Sequence, residues 1–156
     1  MLILGEAARD GAEARQKAMG ALKDGTAWTK FKDLVKAQGG DLKYVENPEL
    51  LPLAPIIEVV KSPQRGYLSQ IHARIVGETA VDLGAGRAKK GDQIDHAVGI
   101  EILREVGDFI EKDQDLFVLH AANRDDFSMA KERLLGAHQW SKDPIERFPL
   151  VYDIVR

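Results

Sequence analysis

Residues 107–116 read GDFIEKDQDL, and this stretch decides the fold class. The glycine–aspartate pair predicts a tight turn, Phe109 and Ile110 form a short apolar pair, and the charged residues after them predict a second turn that leads into a strand. The stretch therefore predicts a β module.

The same spacing is similar to that of biotinyl and lipoyl carrier domains, in which a tight turn reverses the chain of a small, flattened barrel. This resemblance suggests a sandwich-like β module. A carrier needs a lysine at the tip of an exposed hairpin, and Lys89 and Lys90 are the only candidates for it. We interpret both as residues of a solvated loop. A carrier-like or interaction module without chemistry of its own stays open as an alternative.

On both sides of this stretch, the sequence alternates between short apolar runs and turn signals. These patterns predict one short helix at 77–83, closed by Gly84 and Gly86, and a longer one at 126–135. The runs predict strands at 56–60, 66–76, 98–104, 116–119 and 150–155.

The first part of the chain has a different, helical composition. One helix is predicted from Ala7 to Lys23, and a second one begins near Thr26 and ends at Gly39. The apolar stripe of the second helix is expected to face a core. The stripe consists of Trp28, Phe31, Leu34, Val35 and Gln38.

Three prolines between Asn47 and Pro55 then stop helical structure, and we place the domain boundary there.

Composition narrows the classes of function. A 156-residue chain that is 44% hydrophobic and 30% charged is expected to fold as a globular protein. Its 22 basic and 25 acidic residues give a net charge of −3, so neither nucleic acid nor an acidic membrane is an expected partner. The lack of cysteine fits a reducing compartment, no apolar run is long enough to span a membrane, and the start does not resemble a signal peptide. We expect a cytoplasmic protein.

Few residue patterns in the chain are typical of an active site. The four histidines, His72, His96, His120 and His138, do not have the spacing of metal ligands. The segment LGAGRAKKGD, residues 83–92, is the one glycine-rich, basic stretch, and its Arg87, Lys89 and Lys90 could bind an anion. The simpler interpretation of this segment is a helix end followed by a solvated loop.

Several short motifs are spread over most of the chain: DGTA (24–27), VKAQGGD (35–41), PELLP (48–52), GYL (66–68), LGAGR (83–87), DQID (92–95), VGI (98–100) and GD (107–108). The combination of AQGGD, LGAGR and a following GDxIDxxVGI is specific, whereas each motif alone is weak. With these motifs the chain resembles the C-terminal part of the pyrimidine-nucleoside and thymidine phosphorylases.

The resemblance implies an α+β fold. Residues 1–55 would be the last two helices of the family's α/β domain and a proline-rich linker, and residues 56–156 its C-terminal α/β-hammerhead domain with a barrel-sandwich core. Glu78 and Thr79 depart from the family pattern, since small apolar residues are usual there, and Asp113 takes a turn position that is usually glycine.

The resemblance also implies a function. These pentosyltransferases use inorganic phosphate as co-substrate to cleave pyrimidine nucleosides into base and pentose 1-phosphate, require no cofactor and form homodimers. The family's phosphate-binding and base-binding residues lie upstream of the matching part, so no catalytic, cofactor or metal residue is assigned here. We therefore expect the chain to be inactive alone and to need the upstream domains, in cis or as a separate subunit. We also expect Arg87, Lys89 and Lys90 to face the catalytic cleft of the complete enzyme. An AMP phosphorylase, which shares this architecture, is the other enzyme class left open.

Overall fold

The computed structural model describes residues 1–153. The chain divides into two compact units, one from Met1 to Leu51 and one from Pro52 onward. No helix within residues 1–153 is long and apolar enough to cross a membrane.

The first unit is helical. Helix α1 spans Gly11–Lys23, α2 Thr26–Ala37 and α3 Lys43–Glu46, and a 3₁₀ turn follows at Pro48–Leu50. Helix α1 begins four residues later than the predicted Ala7, because the Asp10 side chain accepts a hydrogen bond from the Glu13 backbone N–H at 2.8 Å and caps the helix there. The prediction placed the second helix correctly.

The apolar stripe of α2 is exposed, so the prediction that it faces a core is wrong for this structure. Trp28 is 49% exposed, Phe31 46% and Leu34 52%. None of the helical residues of this unit is buried. A helix can bury an apolar stripe only against a second packed layer, and two short neighbouring helices do not provide one.

The second unit contains two antiparallel, three-stranded sheets among its described residues. Their strand orders are β1-β5-β3 and β4-β2-β6. Together with the helices they confirm the α+β class. The strands are β1 Ile56–Lys61, β2 Gly66–Ile71, β3 Gly99–Ile102, β4 Phe109–Ile110, β5 Asp115–Ala121 and β6 His138–Ser141.

The turn that the sequence predicts at Gly107 and Asp108 is present and docks onto β2. Gly107 has φ 95°, its N–H donates to the Leu68 carbonyl at 2.8 Å, and the Leu68 N–H donates to the Asp108 carbonyl at 2.8 Å. Asp113, in the second turn, has φ 65°. This left-handed conformation explains why glycine is the expected residue at that position.

Three helical segments complete this unit. Helix α4 spans Ala73–Ala80 and runs into a π-helical turn at Val81–Ala85, and α5 spans Arg124–Ala137. The predicted strand 66–76 is too long, because β2 ends at Ile71 and the chain is helical from Ala73. The apolar residues at 71, 75 and 76 fit a strand and a helix equally well, and only the register with β6 ends β2 at Ile71.

Two further expectations about strands differ from the structure. Strands β4 and β6 were not predicted, since one has two residues and the other begins at His138 directly after the last residue of α5, with no loop between them. The predicted terminal strand 150–155 is absent over residues 150–153, and residues 154–155 lie outside the described part of the chain.

The core lies between the two sheets and the helices α4 and α5. Phe117 of β5 is paired with Val60 of β1, and Leu68 of β2 with Trp140 of β6. The largest fully buried apolar side chains are Phe117, Leu68, Ile110, Leu116, Leu119 and Leu134.

Candidate functional site

The predicted anion-binding loop begins at the π-helical turn Val81–Ala85. Gly84 in this turn has φ 103°, which a residue with a side chain rarely adopts. Gly86 lies close to the turn, since a Cβ atom added there would be 2.8 Å from Val81 Cγ2. The positive φ at Gly84 and the close contact of Gly86 with the Val81 side chain thus both favour glycine in the LGAGR motif.

The loop at residues 87–92 is closed by Asp92. Its backbone carbonyl accepts a hydrogen bond from Arg87 Nε at 3.2 Å, and its Oδ2 accepts one from the Lys89 backbone N–H at 2.9 Å. The side chains of Arg87, Lys89 and Lys90 are exposed. No ion pair to a carboxylate holds these three cations within residues 1–153. The loop therefore presents three positively charged side chains to solvent, and its own carboxylate, Asp92, is bonded to the Lys89 backbone N–H.

Hydrogen bonds of Asp95 also hold the end of the loop that leads to β3. The Asp95 N–H donates to the Gly84 carbonyl at 2.9 Å, and Asp95 Oδ1 accepts from the Ala97 N–H at 2.9 Å. Val98, at the entry to β3, is buried. The cationic loop, residues 87–92, is consequently held at both ends, by the π-helical turn on one side and by the entry to β3 on the other.

An arginine on α5 joins this region to the rest of the unit. Arg133 donates to Glu78 Oε2 of α4 at 2.8 Å and to the carboxylate of Asp82 in the π-helical turn. Arg74 lies 2.7 Å from the other Glu78 oxygen, and this hydrogen bond is the main reason why the pKa of Glu78 is lowered. Glu78 thus departs from the family pattern because it connects two helices through Arg133.

The second departure, Thr79, is also explained by the structure. Its side chain is buried, and its hydroxyl donates to the Ile75 carbonyl at 2.7 Å within α4. A buried hydroxyl that makes this bond does not remain unpaired. Threonine therefore fits a position where a small apolar residue is usual.

The histidines lie in different environments. His72 and His96 are exposed, whereas His120 Nε2 lies 2.6 Å from Glu101 Oε1 across β5 and β3. His138 is 4% exposed. Within residues 1–153 no three His, Asp or Glu side chains come together in a group that could bind a metal ion.

His138 is a buried polar residue that no sequence motif marks as functional. Its Nδ1 lies 2.7 Å from the carbonyl oxygen of Leu134 in the last turn of α5, where carbonyls outside the regular helical pattern need other donors. Burial lowers the pKa of the imidazole. The signal that could have revealed it is the alternation His138-Gln139-Trp140, which points both rings to one face of β6.

Comparison with known proteins agrees with this architecture. Residues 67–140 match the family described as the pyrimidine nucleoside phosphorylase C-terminal domain. The chain carries the C-terminal domain of the pyrimidine nucleoside phosphorylase family. The matched region of this domain runs from β2 to β6 and includes the cationic loop.

Curated relatives of this C-terminal domain match the chain well beyond those residues. The pyrimidine-nucleoside phosphorylase of Geobacillus stearothermophilus is 39% identical over 153 residues, which cover 98% of this chain and 35% of the relative. That of Bacillus subtilis is 44% identical over 121 residues, 78% of this chain and 28% of the relative. The protein of the same name from Staphylococcus epidermidis is 38% identical over 125 residues. The chain thus spans about a third of the length of the curated relatives it matches.

Proposed function

We propose that this chain is the C-terminal part of a pyrimidine-nucleoside phosphorylase. The observation that carries the proposal is the 39% identity to the Geobacillus enzyme across 98% of the chain. In the complete enzyme a phosphate oxygen forms a bond to C1′ of the pentose while the N-glycosidic bond breaks. The products are pentose 1-phosphate and the pyrimidine base, which takes up a proton. No relative named above is an AMP phosphorylase, and no observation favours that class.

Within that enzyme, we assign residues 56–156 to an α/β-hammerhead domain with a barrel-sandwich core. The two three-stranded antiparallel sheets and the docked turn at Gly107 support this assignment. Residues 1–55 are assigned to the end of the preceding α/β domain and its linker. The helical first unit, which buries none of its helical residues, supports that second assignment.

The partners of the chain are the upstream domains of the enzyme, in cis or as a separate subunit. The exposed stripe of Trp28, Phe31 and Leu34 supports this, because an isolated soluble unit rarely leaves aligned apolar side chains half exposed. We expect the assembled enzyme to be a cytoplasmic homodimer that uses inorganic phosphate and no further cofactor. Nucleic acid and membranes are not expected partners of a chain with net charge −3.

The chain alone is expected to have no phosphorolytic activity. The reaction develops positive charge on the pentose and negative charge on the leaving base, so several donors must converge on one cleft. The only clustered cations that we assign to the cleft are Arg87, Lys89 and Lys90, which lie on an exposed loop. Loss of a single such donor commonly costs a factor of about 100 to 1,000 in rate.

Reconstitution tests this proposal. Purified chain is assayed for phosphate-dependent release of uracil from uridine and thymine from thymidine, first alone and then mixed with the upstream domains of the Geobacillus relative. We expect no release from the chain alone and release above that of the upstream domains when both are present. Activity of the chain alone contradicts the predicted inactivity. No gain on mixing contradicts the assignment as a phosphorylase part and favours a module without chemistry.

The cationic loop is proposed to face the cleft and contribute to phosphate binding. Replacing Arg87, Lys89 and Lys90 by alanine in the reconstituted enzyme is expected to raise KM for phosphate about tenfold or more, because each removed cation weakens an anion contact. The matched control replaces three exposed lysines elsewhere with the same change in charge. An unchanged KM for phosphate and an unchanged turnover would mean that the loop is only a connector. The control residues are Lys112, Lys131 and Lys142.

A further inference from the structure

Two carboxylates lie close together where α4 continues into the π-helical turn. Glu78 belongs to α4 and Asp82 to the turn, four residues further along the chain. Two negative side chains at this spacing on a helix are neighbours and repel each other, which destabilises the helix between them. The chain runs from this turn directly into the cationic loop, so whatever offsets the repulsion also bears on where the loop starts.

One guanidinium, that of Arg133 on α5, binds both carboxylates. Its Nη2 donates to Glu78 Oε2 at 2.8 Å, and its Nη1 donates to the carboxylate of Asp82. The helix that carries Arg133 is fixed to the core, because its Ala130 and Leu134 are fully buried. A planar guanidinium on a rigid helix holds its two acceptors in defined positions. The arginine therefore connects the end of α4 and the turn to the core of the unit.

Asp82 is the point at which this pairing reaches the turn. Among residues 1–153 it is the one residue of Val81–Ala85 whose side chain forms a hydrogen bond or an ion pair. Two residues later, Gly84 has φ 103°, and its carbonyl accepts the Asp95 N–H at 2.9 Å. Backbone in an uncommon conformation persists only where its surroundings hold it. The turn that Arg133 holds is thus also the turn to which the far end of the cationic loop is bonded.

We propose that Arg133 is a positioning residue for the cationic loop. It fixes the π-helical turn through Asp82, and the turn in turn fixes the loop's Arg87, Lys89 and Lys90 for phosphate. Within the described residues Arg133 makes no hydrogen bond or ion pair to the loop itself, so it acts through the turn. Only the last step, phosphate binding, rests on the function proposed above.

Amide hydrogen exchange in the full chain tests whether Arg133 holds the turn. Arg133→Gln and Asp82→Ala each break the pair, and the Asp95 N–H reports on its bond to Gly84. We expect this amide to exchange about three- to tenfold faster in both variants, the change that loss of one ordinary hydrogen bond makes. The N–H of the fully buried Leu68, bonded to the Asp108 carbonyl, should respond less.

The matched control for these variants is Arg74→Gln. Arg74 pairs with the same Glu78, at 2.7 Å, but has no bond to the turn, so exchange at Asp95 should stay unchanged in it. Unchanged exchange at Asp95 in Arg133→Gln and Asp82→Ala would overturn the proposal. So would equal acceleration at Asp95 and Leu68, which would mean a general loss of stability. Asp82→Ala changes an exposed position, so the test does not depend on the folding of the Arg133 variant.

The KM for phosphate of the reconstituted enzyme separates positioning from a simple effect of charge. Arg133→Gln removes a positive charge and Asp82→Ala a negative one, so electrostatics alone would change phosphate binding in opposite directions. Positioning predicts that both variants raise KM about three- to tenfold, and that the double variant raises it no further, because both act on one pair. Changes of opposite sign, or an unchanged KM in both, contradict the proposal.

The two measurements also separate this proposal from the proposed function. If the unaltered chain gives no activity on mixing with the upstream domains, the proposed function fails, and the phosphate step of the proposal fails with it. The exchange rates of the chain alone then still decide whether Arg133 holds the turn. Activity with unchanged exchange at Asp95 in both variants would leave the proposed function standing and show that Arg133 does not position the loop.

Discussion

At the scale of the residue, His138 makes the stability of the second unit depend on pH. Burial lowers the pKa of the folded imidazole below its ordinary value of 6.5. The unfolded chain therefore binds more protons between the two pKa values. We expect the free energy of unfolding to be fully present above about pH 6.5 and to fall as the pH drops below it. Chemical denaturation followed by Trp140 fluorescence in a Trp28→Phe background measures this dependence.

The variant His138→Phe separates this contribution from that of other titrating groups. It should be less stable at pH 7.5, since the Leu134 carbonyl loses its donor, but it should lose less of its stability between pH 7.5 and pH 5.5. His96→Gln serves as control because His96 is exposed. If the pH dependence is the same in His138→Phe and in the unaltered protein, His138 does not cause it.

At the scale of the element, Gly77 of α4 and Gly86, which directly follows the π-helical turn, should respond to alanine in opposite ways. A Cβ atom at Gly77 meets nothing within 4 Å, whereas one at Gly86 would lie 2.8 Å from Val81 Cγ2 and 3.6 Å from Val81 Cα. Gly77→Ala should stabilise by about 0.5–1 kcal/mol, since alanine loses less backbone entropy in a helix. Gly86→Ala should destabilise by about 1–3 kcal/mol, since the stiff Val81 side chain has to move.

Denaturant midpoints of Gly77→Ala and Gly86→Ala in the same Trp28→Phe background test these two predicted changes in stability. The backbone of Gly86 has φ −143°, a value that alanine adopts without strain, so only the contact with Val81 is tested. The double variant Gly86→Ala, Val81→Ala should recover part of the loss. Equal midpoints for Gly77→Ala and Gly86→Ala would show that the LGAGR segment does not pack against the π-helical turn as described.

At the scale of the whole molecule, the apolar stripe of α2 should matter for assembly and not for the stability of the second unit. Phe31→Gln and Leu34→Gln each remove a side chain that is about half exposed in this chain. We expect each substitution to weaken binding to the upstream domains about tenfold or more, because a buried Phe or Leu contributes about 1.5–3 kcal/mol. Met129→Gln on α5, also exposed, is the matched control.

Isothermal titration calorimetry of the variants with the upstream domains measures these affinities. The denaturant midpoint of the second unit measures its stability. Binding by the hydrophobic dye ANS to the chain alone should also fall in the two α2 variants. Undiminished affinity in both would contradict the docking role of the stripe.

The sequence by itself determined the local features of this protein. Turn chemistry predicted the reversal at Gly107, the family resemblance marked Asp113 as a turn position that is usually glycine, and glycine and proline marked where helices end. These features depend on the conformational preferences of a few neighbouring residues, which the sequence states directly. The combination of motifs predicted the family, and the match over residues 67–140 confirmed it.

Tertiary structure alone decided the features that depend on partners distant in sequence. The end of β2 at Ile71 is set by its pairing with β6, which lies nearly 70 residues later, and apolar spacing fits a strand or a helix there. A glutamate fits position 78 because Glu78 pairs with Arg133 on another helix. The environment of His138 depends on Phe117, Leu134 and the burial of β6. The exposure of the α2 stripe is of the same kind. Periodicity predicts that a face is apolar, whereas what covers that face depends on packing.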